Sequence, residues 1–342
     1  MDTPPPQGVD NDLLSAALAR SWGVTAQRLR YVPKGLGSYH WVVDTTGSNT
    51  LFLTVDDLDV KPWLAPDRDA TFDALTRCYD TASGLRRDAR LAFVVSPLPT
   101  IDGRSLVRLG QQHSLSVYPY ITGEPGEWGR AFSAEARLEL VRLLADLHRA
   151  TPTVASHALP RCLSIPDRAV LEEALADLDR PWTAGPFADS ARRTLASRAD
   201  AVREWLDDFD RVAARVGEPE QPVITHGEPH PGNLIESAEG LMLIDWDTVA
   251  LAHRERDLWM LDDESLDAYD VAVDRDALDL YRLAWTLTDI ALFTQLFRSP
   301  HEVHEGTDVK LRVLGVALSG ASPDPHAVRL DRSPLKRTSG RM

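Results

Sequence analysis

The spacing of the apolar residues changes once along the chain, at a Gly- and Pro-containing segment that covers residues 121–126. Before this segment, short runs of β-favouring residues predict strands interrupted by few helices. The predicted strands cover residues 29–32, 39–44, 51–55, 91–95 and 114–120, and the predicted helices cover 11–22 and 70–79. Beyond it, apolar residues recur at helical spacing over 138–147, 188–214 and 277–297. A strand-rich part is therefore predicted to precede a helical part.

The helical part contains an island of β character. Residues 223–225 and 242–244 are typical of short strands, and Glu239-Gly240 between them is suited to a hairpin turn. We therefore predict an α+β fold with a small antiparallel-sheet N-terminal lobe and a larger, mainly helical C-terminal lobe. The predicted boundaries are 1–116 for the N-terminal lobe, 117–122 for the connector, 123–321 for the helical lobe and 322–342 for a disordered tail.

Composition and charge limit the classes of partner. Of the 342 residues, 43% are hydrophobic and 26% are charged, which is typical of folded domains. The formal net charge is −15, so we expect binding neither to nucleic acid nor to an acidic membrane surface. The two cysteines lie far apart and the first residues carry no secretory pattern, which predicts a cytoplasmic protein.

Two neighbouring segments carry the side chains that phosphoryl transfer needs. The first, THGEPHPGNLI at residues 225–235, places the carboxylate of Glu228 and the amide of Asn233 on a loop after a predicted strand. The second, LIDWD at 243–247, places Asp245 and Asp247 just beyond another strand. A carboxylate accepts or orients the proton of a hydroxyl, and Asn and Asp oxygens suit Mg²⁺, which screens phosphate charge.

These motifs resemble the signature of the aminoglycoside-phosphotransferase family, His-Gly-Asp, four residues, Asn, and then a strand ending in Ile-Asp-Trp/Phe-Asp. The order of the lobes agrees over residues 25–300, and the run GSYHW at 37–41 is similar to the spectinomycin-phosphotransferase branch. The resemblance implies a bilobal, protein-kinase-like fold. It also implies transfer of the γ-phosphate of ATP or GTP, with Mg²⁺, to a hydroxyl of an aminoglycoside or aminocyclitol antibiotic. We expect a monomer or homodimer whose partner is this small, cationic substrate.

The resemblance also assigns expected roles to residues of the helical lobe. Glu228 falls at the catalytic carboxylate of the family. Asn233 and Asp245 fall at its two magnesium ligands, and Asp247 is expected to assist the metal. His226 and Asp257 are expected to support the catalytic loop by hydrogen bonds rather than to react.

In the N-terminal lobe, a turn and the connector are expected to bind the nucleotide. Gly35, Gly37 and Ser38 lie between two predicted strands, where glycines permit a tight turn over phosphates. Tyr118 and Tyr120 lie in the connector, whose backbone groups would meet the edge of the base. The alternative for the connector is a simple linking strand.

Two positions depart from the family pattern. Glu228 replaces the usual Asp, which keeps the charge and adds one methylene group. Thr54 occupies the end of the third strand, where the family has a Lys that contacts the phosphates. We predict that Thr54 still lies in the nucleotide site and that Lys61, or secondarily Lys34, supplies the missing cation. Alternatively, the site binds nucleotide weakly or not at all.

The acceptor is expected to be cationic because the helical lobe carries a strongly acidic segment. Asp262, Asp263 and Glu264 begin it, and their carboxylates could hold ammonium groups. The alternative is a solvated surface. Two other functions remain open on these residues: a kinase of another hydroxylated metabolite, and a catalytically impaired binding protein on the same fold.

Overall fold

The computed structural model describes residues 4–34, 38–61, 63–127, 133–303 and 305–320, and the side chains of all but 305 and 306 among them. The N-terminal lobe is built on a five-stranded antiparallel sheet in the order β1-β2-β3-β5-β4. Its strands are β1 Ala26–Val32, β2 Ser38–Thr45, β3 Thr50–Asp57, β4 Val107–Leu109 and β5 His113–Pro119. The predicted tail at 322–342, and Gly35 and Gly37, lie outside the described residues.

The two faces of this sheet differ in polarity because side chains alternate along each strand. One face is apolar and packs against α1, Asn11–Trp22, whose Leu14 and Leu18 are fully buried. Asp10 caps this helix by accepting the backbone N–H of Leu13. The opposite face carries polar side chains and forms one wall of the cleft between the lobes: Ser38, Thr54, Asp56, Ser114 and Ser116.

The long helix α2, Arg68–Arg87, joins the core of the helical lobe rather than the core of the sheet. Its Leu75, Cys78 and Tyr79 are buried with residues of that lobe. The predicted strand at 91–95 is wrong as a strand of the N-terminal sheet. Val94 instead bridges to Leu243 across the lobes, so the apolar run was recognised but its partner was not.

The helical lobe has two apolar cores, one on each side of its longest helix. Its helices are α3 Ala134–Arg149, α4 Thr151–Val154, α5 Arg168–Ala176, α6 Ala188–Ala196, α7 Ala199–Val216, α8 Glu255–Leu258, α9 Asp263–Asp267, α10 Arg275–Arg298 and α11 Glu305–Ser319. Its strands are β6 Gly123–Pro125, β7 Val223–Thr225, β8 Leu234–Ser237, β9 Gly240–Leu243 and β10 Ala250–Ala252. The single helix expected over 188–214 is divided into α6 and α7 at Ser197 and Arg198.

Short strands position the predicted motifs. β7 pairs with β10, and β6, β8 and β9 form a second small sheet. Ser237 and Gly240 close the hairpin between β8 and β9, so the turn predicted at Glu239-Gly240 is present. Its first arm is β8, which sequence analysis did not identify, and the predicted strand at 223–225 pairs instead with β10. In the described part of the chain, no helix is both long and apolar enough to cross a membrane.

Candidate active site

The first motif forms a tight loop between β7 and β8. Its last residues, Pro231–Asn233, make a short 3₁₀ helix. The Nδ2 of Asn233 donates to the backbone carbonyl of Glu228 at 2.9 Å, which ties the end of the loop to its centre. Gly227 has φ 100°, and a Cβ there would collide with the guanidinium of Arg256. The glycine of the motif is therefore required by both conformation and space.

Asp257 holds the start of this loop from below. Its Oδ2 accepts the backbone N–H of His226 at 2.9 Å and its Oδ1 accepts that of Gly227 at 2.6 Å. These hydrogen bonds lower the cost of burying the carboxylate, and contact with the His148 side chain helps to hold the pKa of Asp257 below its usual value against the effect of burial. The buried ring of His226 contacts the backbone carbonyl of Ile244 at 2.9 Å, which links the loop to the second motif.

The second motif projects two carboxylates into the cleft. Asp245 follows β9 in the left-handed region, with φ 64°, a conformation that costs a non-glycine residue energy. The enclosing walls of the cleft, and then the charge of Asp247, raise the pKa of Asp245 well above its usual value. Because the Asp245 side chain remains exposed to solvent, water limits this rise. Between the two carboxylates, Trp246 is buried against the ring of His226 with centroids 4.7 Å apart.

Lys61 enters the cleft from the sheet side and joins the two lobes. Its Nζ lies 2.6 Å from Asp247 and 3.1 Å from Asp56, and its side chain is 2% exposed. Burial alone would lower the pKa of Lys61, but Asp247 and then Asp56 outweigh it and raise that pKa above its usual value. Lys61 is therefore charged and held between carboxylates of both lobes.

Asp56 and Tyr79, which sequence analysis did not identify, complete this arrangement. The Oδ1 of Asp56 accepts a hydrogen bond from the Ser38 hydroxyl at 2.7 Å, and its Oδ2 accepts one from the Tyr79 hydroxyl at 3.0 Å. Asp56 could have been found from the alternation of side chains along β3, because it must lie on the same face of the sheet as Thr54, two residues earlier. Tyr79 could not be found in this way, since α2 places it by packing.

Thr54 lies on the cleft wall, and its hydroxyl is 3.2 Å from the Nδ1 of His40. Lys34 is exposed at the end of β1. Of the connector residues, Tyr118 presents its side chain on the same face of the sheet as Thr54, and Tyr120 is 46% exposed. The structure thus brings Ser38, Thr54, Lys61 and Tyr118 to one face of the cleft.

Glu228 occupies the opposite side of the cleft. Burial, followed by the negative charge of Asp247, raises the pKa of Glu228 to about 7. The side chain nevertheless retains 37% of its surface accessible to solvent, so screening by water limits the rise. A carboxyl group tuned towards neutral pH suits general base chemistry.

The acidic segment is not brought to this cleft. Asp262 caps α9 and pairs with Arg137 at 2.7 Å, while Asp263 pairs with Arg275 at 2.5 Å. Arg137 and His148 lie at opposite ends of α3, about 16 Å apart at 1.5 Å per residue. His148 contacts Asp257 beneath the catalytic loop, so Asp262 and its neighbours Asp263 and Glu264 lie on a different surface.

A model of the phosphotransferase enzyme family matches residues 28–291. The chain belongs to this family. Membership confirms the prediction made from the two motifs and makes the protein a phosphotransferase with an alcohol group as acceptor. The match spans both lobes and includes every residue of the two motifs, Asp257 and Asp289.

Solved kinases share the phosphotransferase fold at low sequence identity. Spectinomycin phosphotransferase APH(9)-Ia, bound to ADP and spectinomycin, has a TM-score of 0.72 at 15% identity, over 94% of this chain and 98% of that one. A microcompartment-associated aminopropanol kinase has a TM-score of 0.64 at 16% identity, over 91% of this chain and 96% of that one. Amicoumacin kinase hAmiN, in complex with AMP-PNP, Ca²⁺ and Ami, has a TM-score of 0.59 at 12% identity, over 93% of this chain and 96% of that one. No curated protein sequence matches significantly. The predicted bilobal, kinase-like fold is confirmed.

Two further residues of this phosphotransferase face the catalytic loop. Asp289 on α10 has a buried Oδ2 without a hydrogen-bond partner, and burial followed by the charge of Glu228 raises its pKa to about 7. Arg161 lies in the loop before α5, and burial lowers its pKa to about 10. Neither stands in a motif, so only the fold could reveal them.

The oxygen donors of the second motif fit a magnesium ion. In the described residues, no cluster of three or more His, Cys, Asp or Glu side chains has the geometry of a complete metal site. Mg²⁺ in a phosphotransferase is held by one or two carboxylates and by the phosphates of the substrate, so it does not need such a cluster. Asp245 suits this role, since no described residue donates a hydrogen bond to its carboxylate or pairs with it.

Proposed function

We propose that the protein is a kinase that uses ATP or GTP and Mg²⁺ to phosphorylate a hydroxyl group of an aminoglycoside or aminocyclitol antibiotic. The observation that carries the proposal is the contact between Lys61 and Asp247 at 2.6 Å. It brings a cation of the sheet lobe to the carboxylates of the helical lobe, beside which the phosphates would lie. The kinase neighbours that bind ADP or AMP-PNP at 12–15% identity support the nucleotide by their shared fold alone.

In this reaction Glu228 accepts or orients the proton of the acceptor hydroxyl. Asn233 and Asp245 would hold the magnesium ion with the help of Asp247, and the ion would neutralise phosphate charge. Lys61 supplies the cation that the family has at the position of Thr54. Ser38 and Thr54 line the same wall. The connector at Tyr118 and Tyr120 offers backbone groups to the base. His226 and Asp257 keep the loop in position.

Asp289 supports an acceptor that carries an ammonium group. Its buried Oδ2 lacks a donor among the described residues, and its charge acts on Glu228. A hydrogen bond from Trp285 reaches the same carboxyl group, so in the described chain only Oδ2 lacks a donor. A buried carboxylate oxygen without a donor is costly, and an ammonium group beside the reacting hydroxyl would satisfy it. Trp285, four residues before Asp289 on α10, packs against the buried Trp259 that follows α8, with ring centroids 5.0 Å apart. The partly exposed ring of Trp285 offers aromatic surface to a cation.

A second candidate is a kinase of another amino-bearing metabolite, and the pairing of Asp262 and Asp263 with arginines favours it. An acidic surface already neutralised by Arg137 and Arg275 gives little attraction to a polycationic antibiotic. A catalytically impaired binding protein is less favoured because Lys61 occupies the cleft. Under the first candidate the protein would act in the cytoplasm, in resistance or self-protection.

A kinase assay with a panel of acceptors tests this proposal. ATP and GTP, each with MgCl₂, are incubated with spectinomycin, aminoglycosides and simple amino alcohols, and nucleoside diphosphate and phosphorylated product are measured. We expect turnover with an amino-bearing acceptor and a loss of at least about tenfold in kcat/KM for Asp289→Asn, since a charge-assisted contact is lost. Asp279→Asn, another α10 aspartate that pairs with Arg282, is the matched control. Turnover only with uncharged acceptors would exclude the amino-bearing class.

A further inference from the structure

A cavity of about 240 Å³ lies beside Asp247, between α2 with the segment that precedes it and the loop before α5. Its lining includes Trp63, Cys78, Arg161, Ser164 and Asp247. Polar donors therefore reach a space that borders the candidate metal ligands, yet none of the roles described above uses it.

Arg161 is fixed in this cavity by its backbone. Its N–H donates to the carbonyl of Leu251 at 2.9 Å, and the N–H of Leu251 donates to the carbonyl of Leu159 at 2.8 Å. Leu251 lies on β10, which pairs with β7 directly before the catalytic loop. The guanidinium is thus carried by a short, rigid segment rather than by a free loop.

The guanidinium has no anionic partner among the described residues. Glu228 and Asp247 are the carboxylates whose charges act on it, together with the Cys78 thiol. Asp247 pairs with Lys61, and the carboxylate of Glu228 lies 3.9 Å from the Nε2 of His230. A half-buried cation without an anionic partner carries a cost to the fold, and burial lowers its pKa. At about 10 that pKa still leaves Arg161 charged at neutral pH.

Trp63 contributes a second unused donor to the lining. Its Nε1 is buried and has no hydrogen-bond partner in the described part of the chain. Trp63 also stands beside Lys61, whose Nζ is 5.5 Å from the centre of its ring. Two N–H donors at one cavity, one of them a planar fork, suit the oxygens of a phosphate group.

We propose that Arg161 and Trp63 form a phosphate-binding subsite that holds the phosphoryl group as it reaches the acceptor, and this rests on the proposed function. In that step the bond between the γ-phosphorus and the oxygen bridging to the β-phosphate breaks. The acceptor oxygen forms the new bond to phosphorus, its proton goes to Glu228, and the nucleoside diphosphate leaves with the electron pair. Arg161 exchanges no proton and donates hydrogen bonds to the phosphoryl oxygens.

Binding of inorganic phosphate tests the subsite without any need for turnover. Thermal unfolding is followed with increasing phosphate for the native protein, for Arg161→Met and for Arg180→Met. Arg180 is 82% exposed and controls for the loss of one positive charge. Phosphate should raise the Tm of the native protein and of Arg180→Met, but not that of Arg161→Met. Equal stabilisation of all three proteins would overturn the proposal.

The stability of Arg161→Met without phosphate separates a binding role from a structural one. If Arg161 serves ligand binding and not the stability of the fold, replacing it with an apolar side chain of similar length leaves Tm unchanged or raises it. If Arg161 instead supports the fold, Tm falls and phosphate still stabilises the variant in proportion to the native protein. That second result contradicts the subsite.

Kinetics then distinguish the two sources of the phosphate. Arg161→Met should lower kcat about tenfold to a hundredfold, with Arg161→Lys recovering part of it.

Weaker binding of a non-hydrolysable triphosphate to Arg161→Met, with ADP binding unchanged, assigns the subsite to the γ-phosphate. Unchanged binding of both nucleotides, with weaker binding of phosphate in the presence of ADP, assigns it to the product ester. Equal weakening of triphosphate and ADP excludes both. Absence of turnover in the native protein would refute the proposed kinase, while the phosphate titration would still decide the subsite.

Discussion

The two walls of the cleft are built in different ways. On the helical side, Glu228, Asn233, Asp245 and Asp247 come from a single stretch of loop and hairpin, and short-range hydrogen bonds hold them in place. On the sheet side, the cation comes from the loop after β3 and reaches Asp247, which is 186 residues away in sequence. One wall is local in sequence, and the other depends on the closure of two lobes.

This difference explains why the helical wall departs from the family pattern only by the extra methylene group of Glu228, whereas the sheet wall has moved its cation to another position. A local motif has few alternative solutions, since Gly227, Asn233 and Asp257 fix one another. The sheet wall needs only a cation at a given place. Lys61 can supply it from outside the strand while Asp56, on the strand itself, provides the carboxylate partner. Thr54 is then free of that role.

The largest effect is expected for Lys61→Ala, which removes the contact between the walls. Asp56 and Asp247 would be left buried without their common cation, a change that costs on the order of 3–5 kcal/mol. We expect a marked fall in the free energy of unfolding and loss of nucleotide binding. Denaturation and calorimetry with the native protein and with Lys34→Ala, an exposed lysine, provide the comparison. Unchanged stability and unchanged nucleotide binding in Lys61→Ala would mean that the two walls do not depend on each other.

Asp245→Ala should act on the helical wall alone. The carboxylate is exposed and makes no bond to the described protein, so we expect the fold to remain stable. Turnover should fall by at least about a hundredfold, or about 2.7 kcal/mol in the barrier, because a metal ligand is lost. Asp263→Ala, a 77% exposed aspartate outside the cleft, is the control. Retention of turnover to within about tenfold would refute the metal role.

The same distinction governs what the sequence can predict. The order of lobes, the turn between β8 and β9 and the helical-wall residues follow from local spacing and from the family resemblance. The partners of Lys61 do not, because Asp56, Asp247 and Tyr79 meet only after α2 packs against the helical lobe. The residues at 91–95 show the same limit, since an apolar run identifies an extended segment but not that Leu243 is its partner. Asp289 and Arg161 belong to no sequence motif, and they are identified only by side-chain polar atoms that have no partner among the described residues.

Glu228→Gln tests the carboxylate of the helical wall with a smaller expected effect. Turnover should fall about tenfold to a hundredfold, while nucleotide affinity changes little. Steady-state rates and calorimetry, with Glu264→Gln as an exposed control, measure both. Equal losses in rate and affinity would indicate a structural role. Glu228→Asp should also lose activity, because a shorter side chain misplaces the carboxylate by about 1 Å.

The raised pKa of Glu228 adds a pH dependence with a definite sign. As a base it works when deprotonated, so turnover should rise as pH increases through the apparent pKa, up to about 7, and then level off. Stability should move in the opposite direction. Between about 4.3, the unfolded value, and about 7 the native state holds a proton that the unfolded state has released, so stability falls as pH rises. Glu228→Gln should reduce this fall in the protein free of metal and nucleotide, and the part that remains belongs to Asp245 and Asp289, whose pKa values are also raised.

The smallest effect is expected for Thr54→Lys, which restores the family residue on the sheet wall. In the native background the new ammonium group would stand on the same face as Lys61 and beside His40, and repulsion between the two lysines offsets the added attraction for phosphate. We therefore expect nucleotide affinity to change by less than about threefold. In the Lys61→Ala background the same substitution meets Asp56 without a competing lysine. It should recover affinity about tenfold, as one charge-assisted contact is regained. Calorimetric titration of the two single variants and the double variant measures the coupling between positions 54 and 61. Strictly additive effects would show that Lys61 does not replace the missing lysine, because two residues that perform one role cannot contribute independently.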